Sequence, residues 1–140
     1  MLLRSVSGMR GIVGTDLTPA IAMRHAAALG TLLKRGRIVV STDTRPTGPM
    51  LKRAVIAGLQ SVGCDVIDIG VAPTPTVPLA VTHFAAKAGI AITASHNPVE
   101  WNALKFLGSA SKIFAPDFLD RVYAAADKNT ADDQKWARIG

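Results

Sequence analysis

The sequence predicts an α/β fold built on a mixed, mostly parallel sheet. Three apolar runs carry that expectation: Arg37-Ile38-Val39-Val40-Ser41-Thr42, Asp65-Val66-Ile67-Asp68-Ile69 and Gly89-Ile90-Ala91-Ile92. Between them lie segments of helical composition with clear stop signals. A βαβαβ alternation of this kind closes as a parallel sheet with right-handed crossovers. Aromatic residues are only 5% of the chain while Ala, Val, Ile and Leu abound, which suits a tightly packed core of that class.

Taken in order, Thr18-Pro19 reads as an N-cap followed by proline at the first helical position. The alanine-rich stretch after it predicts a helix over 20–35, stopped by Gly36. The strand at 37–42 then runs into the loop Asp43-Thr44-Arg45-Pro46-Thr47-Gly48. A second helix is expected over 49–62 with Gly63 as its stop, then the strand at 65–69. A proline-rich loop at 70–76 leads to a third helix over 77–86, and the next strand delivers the chain to Ser95. Residues 103–107 predict a return strand, antiparallel to the last, and 116–127 a closing helix. The polar tail 128–140 has the composition of an interdomain linker, so the domain is expected at 1–127.

At 140 residues the chain is one domain able to bury about two-thirds of its unfolded surface. No apolar run approaches the roughly 20 residues of a membrane span, and the opening Met1-Leu2-Leu3-Arg4 is too short for a signal peptide. The single cysteine, Cys64, has no internal partner and reads as core; cytoplasm is the expected compartment. A net charge of +6 attracts anions. The charges are scattered and lack interleaved aromatics, so a small phosphorylated substrate is favoured over nucleic acid.

The chemistry concentrates in Thr93-Ala94-Ser95-His96-Asn97-Pro98, where a strand gives way to a loop. In open α/β sheets ligands bind at that edge, and Pro98 keeps Asn97 out of helical geometry. An exposed serine there can attack a substrate, be phosphorylated or be acylated. A hydrolytic Ser95–His96 dyad is disfavoured, because neighbouring side chains in extended backbone point to opposite sides and G-x-S-x-G is absent. Phosphoryl transfer needs positioning, charge stabilisation and a proton acceptor. Lys105 could supply the last if its pKa falls from about 10.4 toward neutrality, a shift that Arg10 and Arg45 nearby would favour. The glycines of Ser7-Gly8-Met9-Arg10-Gly11-Ile12-Val13-Gly14 allow close backbone approach to an anion, although a plain glycine turn explains them equally well.

Ser7-Gly8-Met9-Arg10-Gly11, Asp43-Thr44-Arg45, Pro73-Thr74-Pro75, the TASHNP run and Lys105-Phe106 occur in this order. Over residues 6–115 the set resembles the first domain of the α-D-phosphohexomutases, the phosphoglucomutase/phosphomannomutase superfamily. The resemblance implies a three-layer α/β/α domain that interconverts hexose 1-phosphate and 6-phosphate through a 1,6-bisphosphate. By the same likeness Ser95 is the phosphoserine, Lys105 the general base, and Arg10 and His96 line the catalytic centre. Asp43 and Arg45 are a supporting pair, with Ser7 and Asn97 also at the site. Mg²⁺ is implied, held through the phosphate on Ser95. Its other ligands would come from a DGDxDR loop that this chain lacks; Asp127, Asp132 and Asp133 do not form that pattern. The implied partners are the hexose phosphate and the remaining mutase domains, and the separated domain is expected to be inactive. A free-standing sugar-phosphate-binding module is the alternative. Ala103, where the family usually has glycine, is a local departure.

Overall fold

A computed structural model describes residues 1–109 and 114–140; residues 110–113, inside the span of the family likeness, lie outside the described residues. The elements are β1 (Leu3–Ser5), β2 (Gly8–Ile12), α1 (Pro19–Leu32), β3 (Gly36–Thr42), α2 (Gly48–Ser61), β4 (Cys64–Val71), α3 (Thr76–His83), β5 (Ala88–Ile92), β6 (Trp101–Leu107) and α4 (Pro116–Lys128). They build one six-stranded sheet in the order β1-β2-β6-β5-β3-β4. The expected βαβαβ unit is its parallel part, with β3 between β4 and β5. The return strand pairs antiparallel with β5, from Ile92↔Leu104 to Gly89↔Leu107.

The sheet is mixed, but its parallel share is smaller than expected: two of the five ladders. The difference is the β1–β2 hairpin, which occupies the stretch read as a glycine loop. Its first glycine serves strand approach. Gly8 has φ +140°, and a Cβ there would lie 2.0 Å from the Leu104 carbonyl oxygen.

Burial divides the residues into three layers. Ile38, Val40, Ile90, Ile92, Leu104, Phe106 and Met9 face one core with α1, α2 and α4. On the other face Val39 and Ala91 pack beneath Val77 and Val81 of α3. The α1–α2 contact is close, since a Cβ on Gly58 would lie 2.3 Å from the Met23 carbonyl oxygen.

Element ends follow local chemistry. Thr18 caps α1, its hydroxyl accepting from the Ile21 N–H. The helix stops at Leu32, short of 35, because Lys34 and Arg35 turn left-handed (φ 55° and 62°). Lys87 Nζ then donates to the Leu33 and Lys34 carbonyls. Ala85 (φ 50°) likewise ends α3 before 86. β4 runs on through Gly70 and Val71, and α4 reaches Lys128.

The tail is not loose. The Asp132 carboxylate accepts from Arg35, and the N–H groups of Gln134 and Gly140 donate to the carbonyls of Ser61 and Gln60. No helix among the described residues is long and apolar enough to cross a membrane.

Candidate active site

Four residues that precede or follow strands meet at one end of the sheet. Ser95 and Asn97 come from the loop between β5 and β6, Asp43 and Arg45 from the loop after β3. Together they line a cavity of about 380 Å³. Ser95 is exposed and lies in the turn closed by the Asn97 N–H donating to the Ala94 carbonyl at 3.1 Å. Its φ is +56°, a left-handed conformation costly for a residue bearing a Cβ. Such strain persists only where the surroundings impose it.

Arg45 imposes it. Nη1 donates to the carbonyls of Pro98 (2.7 Å) and Trp101 (3.0 Å), and Nη2 to those of Ser95 (3.0 Å) and Asn97 (2.7 Å). Nε faces Asp43 Oδ2 at 3.3 Å. The four Nη N–H donors of the guanidinium are thus engaged, with Nε paired to the Asp43 carboxylate. Asp43 is fixed in turn: its Oδ1 accepts from the Arg45 N–H at 2.9 Å, and its own N–H donates to Ile92. The side chain of Arg45 is therefore a scaffold for the loop, its four Nη donors committed to backbone carbonyls.

Arg10 and Lys105 lie elsewhere. Arg10 pairs with Ala103, and Lys105 with both Gly8 and Ala91. Alternation puts Arg10 and Lys105 on the face that α3 covers mainly over β3 and β5. They line a second recess of about 180 Å³ with Ser5 and Ser7. Lys105 is two residues, about 7 Å, along β6 from the level at which the Thr93 N–H meets the Ala103 carbonyl. Ser7 accepts from the Phe106 N–H, one residue farther from the Ser95 end. Arg45, expected beside Lys105, lines the other cavity.

His96 is exposed and lines neither cavity. The backbone at Ser95 is left-handed and makes a tight turn, not the extended run that the sequence argument against a Ser95–His96 dyad assumes.

Among the described residues no group of three or more His, Cys, Asp or Glu could hold a metal. Among the described residues the one carboxylate lining the Ser95 cavity, Asp43, is committed to Arg45. This donor set does not make a metal centre by itself.

Sequence reasoning missed Asn102 and Thr47. Asn102 is fully buried, with Nδ2 donating to Thr47 Oγ1 at 2.9 Å and Oδ1 accepting from the Ala103 N–H at 2.8 Å. A polar residue interrupting the approach to an apolar strand was the available signal. It also missed a clasp behind the hairpin. Arg4 pairs with Asp127, lies 5.1 Å from the Tyr123 ring centroid and approaches His25 Nε2 at 3.4 Å, while the Tyr123 hydroxyl donates to the Ser5 carbonyl. His25 Nδ1 lies 2.8 Å from the Ile21 carbonyl, and burial, with Arg4 adding to it, pushes its pKa down.

Residues 1–133 match the family model described as phosphoglucomutase/phosphomannomutase, alpha/beta/alpha domain I. A phosphoglucomutase/phosphomannomutase of Thermococcus kodakarensis is 46% identical over 95% of this chain and 30% of its own length. A phosphoglucosamine mutase of Clostridioides difficile is 47% identical over 71% of this chain and 23% of its own. In three dimensions the chain is similar to a phosphoglucomutase/phosphomannomutase family protein of Burkholderia thailandensis, with TM-score 0.79 and 26% identity. That match covers 96% of this chain and 32% of the other. The chain thus spans about a quarter to a third of the length of these relatives.

Proposed function

The chain belongs to the phosphoglucomutase/phosphomannomutase family as its α/β/α domain I, and from that membership we propose that it carries the phosphoserine of a reversible hexose-phosphate mutase. The observation that carries the reading is Ser95 itself: exposed, left-handed and gripped through the backbone by Arg45 at the edge where ligands bind.

In the proposed reaction phosphorylated Ser95 donates to the free hydroxyl of a hexose monophosphate. The bond from phosphorus to Ser95 Oγ breaks as the bond to the sugar oxygen forms, and the hydroxyl proton passes to Lys105 Nζ. The resulting 1,6-bisphosphate turns over and returns its other phosphoryl group to Ser95. Arg10, on the open face with Lys105, would bind phosphate oxygens. His96 and Asn97 would border the sugar, and Ser7 and Asp43 would support the backbone. In-line positioning of such groups can contribute roughly 7–11 kcal/mol, so an incomplete site should turn over poorly.

Mg²⁺ would touch this chain only through the phosphate on Ser95, its remaining ligands coming from another part of the enzyme. The other partners are the hexose phosphate and the remaining domains, which decide the sugar. We take 1–127 as the domain and 128–140 as the passage to a second domain. A cytoplasmic setting suits a phosphorylated sugar and a lone cysteine.

Intact-mass analysis after incubation of the complete enzyme with a hexose 1,6-bisphosphate tests the reading. One phosphoryl group is expected on the wild type and none on Ser95→Ala, with mutase turnover lost. The 140-residue chain alone is expected to show negligible turnover. Turnover surviving in Ser95→Ala would overturn the proposal.

A further inference from the structure

We infer that Asn102 is a positioning residue for Ser95: its carboxamide ends the β5–β6 ladder and so sets the point at which the serine loop leaves the sheet. The catalytic consequence rests on the phosphoserine reading above; the geometry does not. In an antiparallel pair, hydrogen-bonded residues exchange two bonds. The Thr93 N–H donates to the Ala103 carbonyl at 3.1 Å, but the return bond is missing. The Ala103 N–H instead donates to Asn102 Oδ1 at 2.8 Å. The Thr93 carbonyl is thereby released from the ladder, and β5 ends at Ile92 instead of running on to Ser95. One residue later the Thr93 hydroxyl accepts from the Ser95 N–H at 3.3 Å, within the turn that gives Ser95 its positive φ.

The other end of the same carboxamide donates to Thr47, two residues after Arg45. One buried group therefore joins the start of β6 to the segment whose guanidinium grips the loop. An amide accepts at one end and donates at the other, as this site uses it; a carboxylate lacks the donor, and an aliphatic side chain lacks both. Asn102 is fully buried and lines neither cavity, so it touches no substrate. It acts through the backbone of 93–103.

Residue-resolved amide exchange on this chain tests the inference. Thr47→Val removes only the acceptor for Asn102, Thr47→Ser restores it, Asn102→Ala removes the whole device, and Val55→Ala in α2 reports general destabilisation. Loss of one hydrogen bond corresponds to about a tenfold change. The N–H groups of Asn97 and Trp101 should therefore exchange about tenfold faster in Asn102→Ala and Thr47→Val than the loss of β3 protection accounts for. Thr47→Ser should return them to the wild-type rate. Loop exchange that rises only in step with β3, as expected for Val55→Ala, overturns the inference. If Asn102→Ala does not fold, Thr47→Val decides alone. In the complete enzyme the same variant should lower kcat with KM held, and Thr47→Ser should rescue it. An unchanged kcat beside a loosened loop overturns the catalytic consequence. Wild-type enzyme that takes up no phosphate on Ser95 overturns the phosphoserine reading instead, while the exchange data still decide the role of Asn102.

Discussion

Replacing Arg45 by lysine keeps the charge and removes the fork, which separates electrostatics from scaffolding. In the native loop the guanidinium makes four bonds to carbonyls, of Ser95, Asn97, Pro98 and Trp101, and a fifth contact with Asp43. An ammonium has three donors on one atom and cannot reach acceptors spread over that span. At least two bonds are lost. Hydrogen bonds to charged groups contribute about 1.5–3 kcal/mol each; with water able to replace part of this at the loop surface, the total is about 2–4 kcal/mol. The loss falls on the segment from Ser95 to Trp101, since β3 and β5 are held by the core. Amide exchange in Arg45→Lys should therefore quicken about 30-fold or more at Asn97 and Trp101. The melting temperature should fall by less than the about 8–16 °C that the same energy would cost if it fell on global unfolding. Native protection of the loop in Arg45→Lys would refute the scaffold argument, because it would show that charge alone suffices.

Three further outcomes are expected. Ser95→Gly should be more stable than Ser95→Ala by about 1 kcal/mol in urea unfolding, because alanine keeps the left-handed penalty that glycine lacks; equal stability would argue against the strain. Gly8→Ala should cost more than about 3 kcal/mol by the same assay, since its Cβ would collide with the Leu104 carbonyl; a loss below about 1 kcal/mol would show that β2 and β6 can separate cheaply. His25, with its pKa lowered in the fold, stays neutral where the unfolded chain already binds a proton. Stability should therefore fall as pH drops below 6.5 through the lower folded value, and His25→Gln should flatten that slope. Loss from Asp16 and Asp68, whose pKa values lie below 3.8, enters only in stronger acid. An unchanged slope between pH 7 and 5 in His25→Gln would reassign the effect.

The parallel half of the fold was legible because its helix ends carry their own signals: Thr18-Pro19 at the start of α1, Gly36 at the passage from α1 to β3, Gly63 between α2 and β4. The β1–β2 hairpin was not, because glycine has no side chain to mark a face, and here it serves close packing between strands. Within the site, Ser95 stood out as a polar residue at a strand end. The supporting role of Arg45 came through the family likeness alone, since its acceptors are backbone carbonyls that every residue possesses. Its expected place beside Lys105 failed for a related reason: sequence order brings loops to one edge but does not say which cavity a long side chain fills. Asn102 was passed over because its partners, a backbone N–H and a threonine hydroxyl, are ordinary in any composition.

The sheet is clad unevenly. α3 packs mainly over β3 and β5, so β6 and β2 have one side in the main core and another that is covered only in part, at Ala103 and Leu107. Successive residues of β6 therefore answer to different selective pressures. Asn102, Leu104 and Phe106 belong to the interior, whereas Trp101 and Lys105 are partly exposed on the opposite side. A saturation scan of this one strand should read as two interleaved records, with folding yield lost at Asn102, Leu104 and Phe106 and at the buried Ala103, and kept at Trp101 and Lys105.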